Sequence, residues 1–118
     1  MTPGARCAPF FKADMVPIAR ILTLCPSVEV ARAIAAALLQ ARLVACANIG
    51  AQVESHYVWN GDPRHEPEVQ LWLKTRSDLV EAVAQVITPL HPYEVPMIAA
   101  DVVRVNAAYG AWVADSTG

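Results

Sequence analysis

"EVQLWLKT", Glu68 to Thr75, is the stretch on which the fold turns. Val69, Leu71, Leu73 and Thr75 share one parity, and Gln70, Trp72 and Lys74 share the other. Clean alternation of this kind predicts a strand with one face in a core and one face turned away from it. Going backwards, Asn60-Gly61 is the strongest short hairpin signal, and Asp62-Pro63 after it predicts a loop longer than two residues. The loop joins the alternating strand to "VACANIGAQVESHYVW" (Val44–Trp59), rich in β-formers and carrying Gly50 where a bulge or bend would sit.

Before that lies "PSVEVARAIAAALLQARL", which reads as a helix. Ser27 suits its N-cap and Glu29 its first turn, while Val30, Ile34, Ala35, Leu38 and Leu39 fall on one face. "IARILTLC" (Ile18–Cys25) is aliphatic enough for a largely buried strand. Going forwards, Asp78 and Glu81 form a D-x-x-E capping pair, and Val80, Val83, Val86, Ile87 and Leu90 supply the apolar side of a second helix. That helix must end by Leu90 or His91, because Pro92 lacks a donor and pushes His91 out of the helical region. "MIAADVVRV" then reads as a strand, and Asn106 as the cap of a last helix bearing Tyr109, Trp112 and Val113. The order β-α-β-β-α-β plus a terminal helix predicts an α+β, ferredoxin-like split βαβ fold: one antiparallel sheet with helices on one face. Residues 18–118 are expected to form this domain, and residues 1–17 an irregular tail in which Met15 is a candidate start.

The 118 residues suffice for one domain with a real core, and the apolar fraction of 55% favours an extra apolar face hidden in an oligomer. A net charge of −2 without a basic stripe argues against nucleic acid and anionic membranes as partners. No uncharged apolar run reaches membrane-spanning length, and the N-terminal stretch lacks the apolar region of a secretory signal. Three cysteines, Cys7, Cys25 and Cys46, without CxxC spacing, predict free thiols and a cytoplasmic setting.

Glycine-rich phosphate loops, H-E-x-x-H, G-x-S-x-G and zinc-ribbon spacings do not occur, so no standard catalytic motif and no required cofactor is read. Cys46 inside a strand and Cys25 at a strand end are ordinarily buried, inert thiols. His56 and His65 read as solvated residues near the hairpin, and Lys74 as a solvated lysine on the polar parity. The three tryptophans are more often packing than recognition. The chemically dense stretch is "LHPYEVP" (Leu90–Pro96), in which Pro92 and Pro96 stiffen a connector holding His91, Tyr93 and Glu94.

Taken in order, "ARLVACANI", "YVWNG", "EVQLWLKT", "LHPYEVP" and "NAAYGAWV" resemble the CutA divalent-cation-tolerance family over about Ile18 to Asp115. The resemblance implies a ferredoxin-like subunit in a homotrimer, related in architecture to the PII signalling proteins. It also implies a part in copper and divalent-metal tolerance, and no established enzymatic reaction. Carried over residue by residue, it marks Cys46, Asn48, Trp59, Lys74, the connector from His91 to Pro96, Tyr109 and Trp112. Gly110 departs from the family pattern and weakens the last helix by about 1 kcal/mol relative to alanine.

Three functions compete on these residues. In the first, Cys46 and His91, helped by Cys25 and Glu94, offer thiolate, imidazole and carboxylate to copper or another divalent metal ion, weakly or at sites shared between subunits. In the second, a small anion or metabolite sits in an intersubunit cleft formed by Lys74, Tyr93, Glu94, Trp59, Asn48 and Trp112. In the third, the trimer is architectural and has no ligand of its own.

Overall fold

The computed structural model describes residues 14–118. Strand β1 (Met15–Cys25) is followed by helix α1 (Val28–Gln40) and two long strands, β2 (Cys46–Trp59) and β3 (Asp62–Thr75). A single 3-10 turn (Ser77–Leu79), helix α2 (Val80–Leu90), strand β4 (Ala99–Asn106) and helix α3 (Ala107–Ser116) complete the chain. The sheet runs β2-β3-β1-β4 with every neighbouring pair antiparallel, so β3 is inserted between β1 and β2 as a split βαβ unit requires.

The alternation of β3 builds the core. Leu71, Leu73 and Thr75 are fully buried and stand opposite Thr23, Ile21 and Ala19 of β1. Ala31, Ile34, Ala35 and Leu38 of α1 and Val83 and Ile87 of α2 close over that face. Leu39 and Leu90, expected on these apolar faces, are exposed at 44% and 45%. Leu39 lies beside the stripe that α1 buries, and Leu90 ends α2 where the chain turns away.

Several boundaries differ from those expected. Strand β1 starts at Met15, inside the stretch expected to be irregular, because Met15, Val16 and Pro17 pair with Asn106, Val105 and Arg104 of β4. Pro17 is tolerated there because β3 pairs with β1 only from Ala19 onward, which leaves its nitrogen facing no partner strand on that side. The rest of the expected tail, Cys7 included, lies outside the described residues. The hairpin loop is Asn60-Gly61 alone, with φ of 51° and 83°, the two positive values of a type I′ turn. Pro63 stays in the ladder: opposite Val58 it occupies a non-hydrogen-bonded position, where a missing N–H costs nothing. Gly50 lies in a register break between Ile49 and Gln52, as expected of a bulge.

Ser27 caps α1 by accepting from the Val30 N–H at 3.2 Å. Asp78 caps nothing; it accepts two bonds of 3.1 Å from the Arg76 guanidinium, and the 3-10 turn leads into α2 instead. Asn106 holds the N-cap position of α3 without a side-chain bond.

Helix α3 crosses one end of the sheet face opposite α1 and α2. A Cβ at Gly110 would overlap Cγ2 of Val16 there, so glycine is what lets helix and strand approach. The C-terminal segment is tied down by Arg42, which ends α1 in a left-handed conformation (φ 58°). Its guanidinium donates to the carbonyls of Gly118 at 3.0 Å and Asp115 at 3.1 Å.

The molecule measures 57 × 28 × 22 Å, with a radius of gyration of 16.7 Å. A compact chain of this length has about 13.5 Å. The excess is the β2–β3 hairpin: pairing of β3 with β1 stops at Val69, so Val53 to Glu68 stand beyond the sheet as a two-stranded arm.

Candidate functional site: a groove between the arm and the connector

Helix α2 ends at Leu90, and His91 takes extended backbone angles (φ −84°, ψ 131°), as the following proline demands. The His91 ring is buried and both its nitrogens are used. Nε2–H donates to the Leu24 carbonyl at 2.8 Å, and Nδ1 accepts from the Tyr93 N–H at 3.2 Å. The His91 and Tyr93 rings lie 4.6 Å apart. Tyr93 in turn donates its hydroxyl to Oε2 of the buried Glu68 at 2.7 Å. The connector is thereby clamped to the end of β1 and to the base of the arm.

Between arm and connector lies a cavity of about 440 Å³. The arm lines it with Tyr57, Trp59, Arg64, Glu66 and Glu68, and the connector with Pro92, Tyr93, Glu94, Val95 and Met97, over Leu24. Burial and then the bond to Glu68 hold the Tyr93 phenol well above its ordinary range. Partial desolvation, followed by the neighbouring Glu66 carboxylate, raises that of Tyr57. Burial pushes the Cys25 thiol up to about 11, with the charge of Glu68 adding to the effect. These groups stay protonated at neutral pH, so the cavity presents phenols, an indole, carboxylates and one guanidinium.

A second, shallower hollow of about 290 Å³ lies on the sheet face that α3 partly covers, lined by Arg20, Asn48, Trp72 and Lys74. Arg20 lies 4.5 Å over the Trp72 ring and grips Asp101 with bonds of 2.8 and 3.2 Å. Lys74 Nζ stands 5.9 Å from the Tyr109 ring and makes no ion pair among the described residues. Cys46, opposite Lys74 on β2, is half-buried, with its Sγ 3.5 Å from Asn48 Oδ1.

The expected residues therefore separate. Of the metal candidates, Cys25 is sealed in the core, His91 is saturated by backbone bonds, Glu94 lines the large cavity and Cys46 borders the small hollow. No three His, Cys, Asp or Glu side chains among the described residues stand around a common point. Of the cleft candidates, Trp59, Tyr93 and Glu94 share the large cavity, whereas Lys74 and Asn48 share the hollow. Trp112 is exposed at 43% on α3 beside Tyr109. Lys74 and Glu94 line different depressions of one chain.

Sequence reasoning missed Tyr57, Arg64, Glu66 and Glu68. The signal was available: the alternation of "EVQLWLKT" continues backward through Glu66 and Arg64 on the parity of Lys74, but exposed-looking charges gave no reason to follow it.

The model of the CutA1 divalent ion tolerance protein family matches residues 19–116. The chain belongs to that family. It is 40% identical to the divalent-cation tolerance protein CutA of Pyrococcus horikoshii over 98 residues, 82% of this chain and 95% of that one. It is 36% identical to the mouse protein CutA over 115 residues, 95% of this chain and 65% of the mouse protein. This chain spans about half to two thirds of the vertebrate family members it matches, with 52% of the human protein and 61% of the Xenopus protein covered. Among solved structures, the periplasmic divalent cation tolerance protein CutA of Archaeoglobus fulgidus superposes with a TM-score of 0.81 at 29% identity, covering 86% of this chain and 98% of that one. A family member is thus described from outside the cytoplasm. In this chain, no helix among the described residues is long and apolar enough to cross a membrane.

Proposed function

We propose that the chain acts as a homotrimer in divalent-cation tolerance, copper foremost, binding its ligand rather than transforming it. One observation carries this reading: large apolar side chains stand open along the arm, connector and β4. Val58 and Val95 are exposed at 69% and Val102 at 63%, with Met97 at 42%. The two edges of the sheet, β2 and β4, differ, so a contact that joins β2 of one copy to β4 of the next is heterologous and closes only as a ring. The scattered donors point the same way. Cys46 and Glu94, too far removed to serve one ion within a chain, become candidates for sites shared between copies, and Cys46 is the softest accessible ligand for copper. A cytoplasmic setting belongs to this proposal, since the thiols of Cys25 and Cys46 are free.

Light scattering at micromolar concentration tests the assembly, with an expected mass three times the 12.7 kDa of one chain. A monomer mass overturns the proposal. Copper titration of wild type and Cys46→Ser tests the ligand, and equal binding by both removes Cys46 from the site.

The large cavity favours a second reading, a sensor for a small anionic metabolite. Arg64 supplies the charge, Tyr57 and Tyr93 the hydrogen bonds and Trp59 a stacking wall. A metabolite panel against wild type and Arg64→Ala tests it, and no saturable binding by wild type leaves the architectural trimer.

A further inference from the structure

The arm has a second face. Alternation sends Tyr57, Arg64 and Glu66 into the cavity, so Glu54, His56 and His65 point from the opposite side. His56 and His65 are direct cross-strand partners, with ring centroids 5.3 Å apart and planes 24° from parallel. Counting back from the Asn60-Gly61 turn places them at a non-hydrogen-bonded position, where facing Cα atoms are about 4.5 Å apart and side chains approach most closely. Oε2 of Glu54 lies 2.7 Å from Nε2 of His56, and these two side chains are exposed at 71% and 66%.

Two imidazoles on facing strands can meet one metal ion at nitrogen–metal distances of about 2.0–2.1 Å. The stacked rings need only turn about their side-chain bonds to bring one nitrogen each together, and the Glu54 side chain, itself exposed at 71%, can follow His56 as it turns. The Glu54 carboxylate places the proton of His56 on Nε2, which leaves Nδ1 free to ligate. This is the carboxylate–histidine arrangement that orients and strengthens metal-bound imidazoles.

We propose that His56 and His65 form a two-imidazole site for a borderline divalent cation, oriented by Glu54 and completed by water. The ligand chemistry favours Cu²⁺, then Ni²⁺ or Zn²⁺, and rejects Mg²⁺ and Ca²⁺. All three residues come from one hairpin, so the site goes beyond the proposal above and takes no ligand from a second copy. A ligating imidazole must be neutral, so binding weakens as the solution is acidified.

Isothermal titration of the full chain with Cu²⁺, Ni²⁺ and Mg²⁺ tests the site in wild type, His56→Ala, His65→Ala and Glu54→Gln. One Cu²⁺ per chain is expected at this site, with affinity reduced about 10-fold or more in each histidine variant and by about 10-fold in Glu54→Gln. Cys46→Ser in parallel separates this equivalent from any that uses the thiol. Binding unchanged in both histidine variants overturns the proposal, as does loss in one alone, which marks a lone imidazole. Thermal melts with and without Ni²⁺ give an independent readout: the metal should raise Tm in wild type and in neither histidine variant. Equal rises in all three overturn the proposal.

Discussion

Gly110 sets two residue-scale effects against each other. In an isolated helix, Gly110→Ala would gain about 1 kcal/mol from propensity. In the fold its methyl meets a branch of Val16, a stiff β-branched side chain on a stretch of β1 held by pairing with β4. Overpacking of this kind costs about 1–3 kcal/mol, so net destabilisation is expected in urea melts. Val16→Ala should rescue it, and the double-mutant cycle measures the coupling. Cys25 and Cys46 offer a second contrast at this scale. In a Cys7→Ser background Cys46 should alkylate first, because Cys25 is fully buried and its thiol is held protonated up to about pH 11. The sign for stability follows: an unfolded thiol ionises near 9.0, so the contribution is complete below pH 9 and lost as pH rises to about 11. Cys25→Ala should flatten the alkaline limb of the stability profile between those values. An unchanged limb would place the alkaline loss elsewhere.

At the scale of elements, the connector is where rigidity is concentrated. Two prolines restrict its backbone, and His91 and Tyr93 fasten it to Leu24 and Glu68. His91→Ala strands a buried carbonyl and an amide, and is expected to cost about 2–4 kcal/mol in denaturant melts. Tyr93→Phe leaves the buried Glu68 carboxylate without its hydroxyl donor and should cost about 1–3 kcal/mol. A cost near zero for His91→Ala would contradict a structural role and return the imidazole to the set of free ligands. The arm is the opposite case: two strands paired only with each other beyond Val69, with Val58 open at 69%. Hydrogen exchange in the arm should report whether a partner covers it, since an isolated hairpin is marginally stable in water.

For the whole molecule, the decisive property is what happens at the sheet edges. Val102 lies exposed on β4, an edge strand that the chain itself leaves unpaired on one side. Val102→Glu should lower the mass measured by light scattering while leaving the fold of each chain intact, because the position is 63% exposed within one chain. Unchanged mass would move the contact between copies away from β4. The same reasoning gives the arm a purpose within the proposed assembly, since its length exceeds anything the single sheet can cover.

The local patterns determined much of this protein before any tertiary contact was known. Period-two alternation in "EVQLWLKT", the Asn60-Gly61 turn, the Ser27 cap and the helix stop before Pro92 act over a few residues, so they specify element types and the split βαβ order. Tertiary structure decided where neighbours overrule local preference. Pairing with β4 drew Met15 to Pro17 into β1, an ion pair with Arg76 took Asp78 from the helix cap, and close packing against Val16 made Gly110 fitting. The site divides by the same rule. The resemblance marked Tyr93 and Glu94, but not that Lys74 lies in a different hollow or that both His91 nitrogens are engaged. Convergence of side chains depends on strand register and on where the connector docks, and those are set by contacts between residues far apart in the chain.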